Sequence, residues 1–566
     1  MTRRVEIAHY VRMRAASAVV VWACAVIAAL GVCTPAPARA DEHFVAPDGD
    51  DDNAGTMAAP FATIERAQTE AGPGDTVYIR GGEYSFSGTT DTIGVELTKS
   101  GQSGQPIKYF AYQAELPVFD FFELRPQARV TGIDVRANWV HVRGIEIRGV
   151  RQLVVGDSWG VRIRGDSNVI ERLNVHDCEA PGIFITSGTS NLILNCDSHH
   201  NYDPLEDGGN ADGFGCHSTG GDNILRGCRA YENSDDGFDF INAAGTCIAE
   251  QSWAFRNGYI PDTTMTGANG AGFKSGGYGN PPTIPASGVP RHVIRGSVAF
   301  GNRAIGFYAN YHPGGLDFFN NTAFDNPANF DMRIPTGGAM SSHKLRNNIA
   351  ATPGRDIVSF NGGSADFNSW TLPVDVSSAD FTGMDKAQAL LPRQADGSLP
   401  NVAFMRLADG SDLIDRGEDV GLPFTGSAPD LGAYEFGAAP PAEPTDGGAP
   451  DAATTTDAGT PTAGAGAGGS TAQPPSAGSS QPAAGGTAPP VSTAGTAGVQ
   501  PAGGSAAPTA TAGATAPAAS GAAAEPDSGC GCRVRPSQPV ASRWLVLLVA
   551  LGLAVRARAR TRLTRH

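Results

Sequence analysis

Through the middle of the chain, apolar and polar residues alternate in short runs, as at Val169, Leu173 and Val175, a period of two that belongs to strands. The runs recur. A phrase closing on asparagine or aspartate appears as NVIERLNVHD ending at Asp177, NLILNCDSHHN at Asn201, NILRGCRAYEN at Asn233, CIAEQSWAFRN at Asn257, HVIRGSVAFGN at Asn302 and LDFFNNTAFDN at Asn326. The intervals of 24, 32, 24, 45 and 24 residues fit a 24-residue coil carrying insertions of 8 and 21. A leucine-rich repeat has similar length but needs a leucine and asparagine frame that is absent. Parallel strands stacked coil on coil, a parallel β-helix, are therefore predicted.

Asparagines at one register predict an internal ladder of side-chain amides. A second marker follows them at Gly182-Ile183, Gly213-Phe214, Gly237-Phe238, Gly272-Phe273 and Gly306-Phe307. It predicts an inward stack of aromatic rings beside a glycine that turns or approaches another backbone closely. Before the repeat, a short amphipathic helix over 63–71 and a strand over 76–80 predict an N-terminal cap. The coils weaken beyond Asn348, and the folded domain is expected to run from residue 41 to Phe436.

Composition removes the ends from the fold. Residues 437–529 are almost entirely Ala, Gly, Pro, Thr and Ser, too poor in apolar surface to offset chain entropy, and are expected to form a disordered linker. Residues 1–40 carry early arginines, an apolar run and Ala38-Arg39-Ala40, the pattern of a cleaved secretion signal. Residues 530–566 hold GCGC, a short apolar stretch from Trp544 to Val555 and a terminal arginine cluster, expected to be the chain's membrane contact. Export permits disulfides among Cys178, Cys196, Cys216, Cys228 and Cys247, whose odd number and spacing fit stacked or partly paired core cysteines better than a zinc site. The formal charge of −16, with no basic stripe outside the termini, argues against nucleic acid as a partner. A monomer is expected.

Setting each coil's glycine as a common register brings charged residues together. Asp212 falls over Asp236 on the next coil, Asp239 falls under Lys274 on the one after, and Asp235 adjoins Asp236. Strands about 4.8 Å apart make equal registers neighbours in space. Four carboxylates so placed repel one another, and an oxygen-only set of ligands suits Ca2+. Asp203, Glu206 and Asp207, in the shorter insertion, are expected to be loop residues. Lys274, in GAGFKSGG at the mouth of the longer insertion, becomes a candidate base. A lysine base beside calcium suits β-elimination on a uronic acid polymer: the proton at C5 is abstracted, a metal on the neighbouring carboxylate stabilises the charge, and the C4–O bond breaks.

The motifs HHNYDP, GGNADGFGCH, ENSDDGFDF and GAGFKSGG resemble those of family 9 polysaccharide lyases, over roughly 43–436. That resemblance implies a right-handed parallel β-helix, a pectate or polygalacturonate substrate, Lys274 as catalytic base, and Asp212, Asp235, Asp236 and Asp239 as calcium ligands. Tyr308, Tyr311, His312 and Arg303, with Tyr202 and Arg333, are weaker candidates to line the cleft or pair with substrate carboxylates. His199 and His200 are expected to belong to the ladder and its edge. The tail resembles the myxobacterial C-terminal sorting tag MYXO-CTERM, which implies delivery to the cell surface with processing near Cys530 or Cys532. Two alternatives stay open: a lyase or hydrolase for another uronic acid polymer, and a non-catalytic surface carbohydrate-binding or adhesin β-helix.

Overall fold

The computed structural model describes residues 40–336 and 342–437. Each coil contributes one strand to each of three sheets, and every pairing between strands is parallel. One sheet has twelve strands and two have ten. One ten-stranded sheet, running from Arg355–Val358 through Ala271–Lys274 to Ile93–Leu97, bears the acidic residues and is termed the site sheet. The other, which includes Trp253–Phe255, is termed the back sheet. The result is a right-handed parallel β-helix, parallel as the repeat predicted and right-handed as the family resemblance implied. The helix Ile64–Glu70 and the strand Thr76–Ile79 form the expected cap, with Thr63 capping the helix through its side chain.

Alternating residues point inward from every strand and close the core coil by coil. Phe214, Phe238, Phe273, Phe307 and Phe330 stack at centroid spacings of 4.6 to 5.0 Å, which is the strand spacing read off by rings. Side-chain amides pin the turns that lead into the site sheet. Asn201, Asn233, Asn257, Asn302 and Asn326 are fully buried and bonded in series. The phrase ending at Asp177 is one residue short of this ladder: Asp177 is largely exposed, and Cys178 donates its amide to Asn201. Two further ladders, begun by Asn168, Asn191 and Asn223 and by Ser252, Ser297, Asn321, Asn348 and Asn368, hold the other corners.

Asn257 accepts from the backbone and side-chain amides of Asn233 and donates to Asn302 Oδ1 and the Ala230 carbonyl. Asn257→Ala is expected to strand several of these buried groups and to cost about 2–4 kcal/mol. Urea unfolding measures it, and a loss below 1 kcal/mol would show that the ladder is not a source of stability.

Three features differ from or complete the sequence reading. The extra residues of the longest coil do not follow Lys274 as one block; they fall on both sides of its strand, at 258–270 and 275–291. Residues beyond 370 form a cover for the back sheet, packing Phe381, Phe404, Leu407 and Leu413 against Trp253, Phe255 and Phe300. Arg393 and Arg229 clamp that cover to Asp197. Cys216 and Cys247 form a disulfide, while Cys178, Cys196 and Cys228 are buried and free. Among the described residues no helix is long and apolar enough to cross a membrane. The expected leader, linker and sorting tag lie outside the described residues.

Candidate active site

The acidic residues occupy the edge and outer face of the site sheet, where consecutive coils turn from the asparagine ladder into short strands. Pairing of Phe214 with Phe238 and of Phe238 with Phe273 fixes the register, so Gly215, Asp239 and Lys274 align across three coils. Asp236 donates its amide to Asp212 Oδ1 at 3.0 Å, fastening the two residues one coil apart. The position after Asp236 tolerates only glycine: a Cβ at Gly237 would sit 2.6 Å from the Gly272 carbonyl and 2.8 Å from the Asn257 amide. The ladder and the site are thus one construction.

Backbone amides aim the carboxylates. Asp235 accepts from Asn210 at 2.9 Å and from Asn269 at 2.8 Å, Asp236 Oδ1 from Ala271 at 2.6 Å, and Asp239 Oδ1 from Ile241 at 2.7 Å. Carboxylate oxygens of Asp212, Asp235 and Asp236 lie within 4.8 Å of one another. Lys274 Nζ stands 3.0 Å from Asp236 Oδ2 and 3.1 Å from Asp239 Oδ2, and all five side chains are buried.

Burial raises Asp212, Asp235 and Asp236 above the ordinary carboxylate range, Asp236 to about 7, with neighbouring carboxylates adding to the effect. Asp239 behaves oppositely. Burial would raise it, but Lys274 and then His217 outweigh that and hold it at about 2. Burial likewise disfavours the Lys274 ammonium, yet the four carboxylates overcome it and hold the lysine well above its ordinary value. With their charge unopposed, the amine keeps its proton.

A family model for the Pel9A-like right-handed β-helix region matches residues 43–348. The chain belongs to this family. It is 35% identical over 405 residues to pectate lyase L of Dickeya chrysanthemi, covering 69% of this chain and 90% of that one. It is 33% identical over 404 residues to pectate lyase PEL9 of Emericella nidulans, covering 67% and 95%. Among solved structures, pectate lyase Pel9A aligns with a TM-score of 0.60 at 34% identity over 70% of this chain and 96% of its own. A rhamnogalacturonan lyase aligns at 0.61 with 33% identity, covering 65% and 97%. The Pel9A-like β-helix described here is accordingly a pectate-lyase-like polysaccharide lyase.

The resemblance also implies a bound calcium, and the residues of this Pel9A-like site fit one. All donors are oxygens, three carboxylates converge, and Asp236 Oδ2 is buried without a hydrogen-bond partner, its contact with Lys274 lacking the direction of one. Asp239 stands outside the converging trio and spends its oxygens on Lys274 and the Ile241 amide.

The other candidates divide. Tyr308 follows Lys274 at the same register on the next coil, and Arg333, ion-paired with Asp331, lies 5.5 Å from the Tyr308 ring and 5.6 Å from that of Tyr311. His312 is not a cleft residue: it is fully buried, accepting from the Gly277 amide and facing the Pro290 carbonyl. Arg303 does not present its guanidinium to a substrate either. It bonds the carbonyls of Ala268 and Asn269, bracing the loop whose Asn269 amide holds Asp235. Asp203 caps the amides of Leu205 and Glu206, a loop role as expected. His199 stacks between His176 and Tyr231 on the back sheet, and His200 pairs with Glu232. His217, 3.8 Å from Asp239, escaped the sequence reading; its position two residues after Gly215, on the outward phase of the strand, is the signal that marks it.

Proposed function

We propose that this enzyme cleaves pectate or polygalacturonate by calcium-dependent β-elimination with Lys274 as the base. The observation that carries the reading is the alignment of Lys274 with Asp239 one coil away, which sets its Nζ between Asp239 and Asp236 at the rim of the converging carboxylates. Calcium held by Asp212, Asp235 and Asp236, with Asp239 beside them at the lysine, would bind the uronate carboxylate and stabilise the negative charge that builds when C5 loses its proton. Once the carboxylates' charge is offset, burial is the influence left on Lys274, and it favours the neutral amine. Asp236 and Asp239 orient Nζ. Lys274 takes the C5 proton, the C5–H electron pair becomes the C4–C5 double bond, and the C4–O bond breaks. The departing oxygen takes a proton from water. Tyr308, next along the same line, and Arg333 beside it supply contacts for the adjoining sugars.

Incubation with polygalacturonate and calcium should produce ultraviolet absorbance from the new double bond. Reducing ends without absorbance would indicate a hydrolase, and neither signal a binder. A second reading, lyase action on rhamnogalacturonan, draws on the solved structure of that name, which is as similar to this chain as Pel9A. The same assay on that polymer decides between the two. The leader-like and tag-like termini support export and retention at the cell surface.

A further inference from the structure

The outer face of the site sheet continues beyond the carboxylates toward the N-terminal coils. Arg162, Phe184, Gly215, Asp239 and Lys274 share one register on five successive strands. Residues so aligned form a line along the stacking direction, which puts Arg162 about 19 Å from Lys274 at about 4.8 Å per strand. Gly215 adds no side chain between Phe184 and Asp239, and the Phe184 ring lies across it where a Cβ would stand.

At the far end of this line lies a cavity of about 270 Å³ lined by Arg129, Arg136, Arg162, Arg164, Trp159 and Asp134, among others. Arg136 and Arg164 are occupied with Asp134, and Arg136 also with Glu96 at 2.7 Å. Arg162 is different. Its guanidinium lies 4.0 Å from the Trp159 ring centre and donates to the Thr186 hydroxyl at 3.0 Å, and no carboxylate of the described residues forms an ion pair with it. Half-buried beside Arg164, it is a cation whose charge is opposed by its surroundings. Arg129, exposed at the same cavity, has no ion pair among the described residues either. On a chain of net charge −16, this is a local concentration of positive charge aimed along the face that leads to Lys274.

We propose that the arginine-lined cavity is a distal subsite that binds a carboxylate of the same polyanionic chain whose sugar is cleaved at Lys274. The proposal rests on reading the lysine site as a polyuronate lyase. The subsite makes the enzyme prefer substrates long enough to span the line, several sugars beyond the broken bond. Arg162 is the residue free to exchange water for a sugar carboxylate, since it has no protein anion to give up.

The test compares kcat/KM on tri- and hexagalacturonate, with calcium, for the wild-type protein and Arg162→Gln. The hexamer-to-trimer ratio is expected to fall about tenfold in the variant, through KM more than kcat, as the loss of a charge-assisted hydrogen bond predicts. An unchanged ratio overturns the subsite. If Arg162→Gln fails to fold, Arg129→Gln carries the same comparison. Absence of any double-bond absorbance from the wild type would instead sink the lyase reading. Retention on immobilised polygalacturonate against fully methyl-esterified pectin then judges the cavity alone. Selective retention of the wild type, weakened in the variant, supports the subsite; no selectivity, or equal retention of both proteins, overturns it.

Discussion

Lys274→Ala, assayed on polygalacturonate with calcium present, is expected to lower kcat by about 10²- to 10⁴-fold, the usual contribution of a positioned general base. The position explains the size of the effect. No other lysine or arginine forms an ion pair with Asp236 or Asp239 among the described residues, and His217, 3.8 Å from Asp239, pairs with that carboxylate and not with Asp236. Removing the ammonium also leaves buried carboxylates without their cation, and breaking a buried pair from one side costs about 3–5 kcal/mol. The activity measurement is therefore made with calcium, and Lys274→Met, which keeps the stem but not the charge, controls for packing. Circular dichroism should show an intact β-helix in both variants. Turnover within a factor of two of wild type in either variant would remove Lys274 from the mechanism.

The second large effect expected is that of chelating calcium, which should abolish turnover and make stability depend on pH. The folded, metal-free chain holds protons on Asp212, Asp235 and Asp236, Asp236 up to about pH 7, that the unfolded chain releases near pH 4. Stability falls with rising pH wherever the folded state binds more protons. The Tm of the chelated protein should thus decline between about pH 4 and pH 7, a loss on the order of a few kcal/mol. Asp239, held at about 2, works in the opposite direction but only below pH 4. Lys274 is raised, so its contribution persists through this range and is lost only at far higher pH. Protons and calcium compete for the same oxygens, so the rise in Tm on adding calcium should be larger at pH 8 than at pH 5. A chelated protein whose Tm is flat from pH 4 to 8, or an equal calcium effect at both values, would contradict the placement of the metal among these carboxylates.

The legibility of this protein follows from its architecture. In a stack of parallel coils, a fixed spacing in sequence is a fixed position in space, so matching registers in the text of the chain become contacts between coils. That is why Asp212 meets Asp236 and Asp239 meets Lys274 as their spacing predicted, and why the Gly-Phe marker became a stack of rings. The regularity breaks where residues are added or where the donor is backbone. Asn210 and Asn269 aim Asp235 with their backbone amides and not with their side chains, so the residue types do not announce the role. Arg303 and His312 had the right chemistry for a cleft, and only packing against Ala268 and Pro290 shows that they face elsewhere.

By itself the sequence determined the β-helix, its coil length, one amide ladder and the set of residues gathered at the site, because each depends on a period of two or of one coil. The tertiary structure decided the rest. It divided the long insertion around Lys274, chose Cys247 as the partner of Cys216, laid residues beyond 370 over the back sheet, and set Asp239 beside the lysine and outside the carboxylate trio. These depend on where loops return and which way a side chain turns at a fixed register, and no periodicity encodes either.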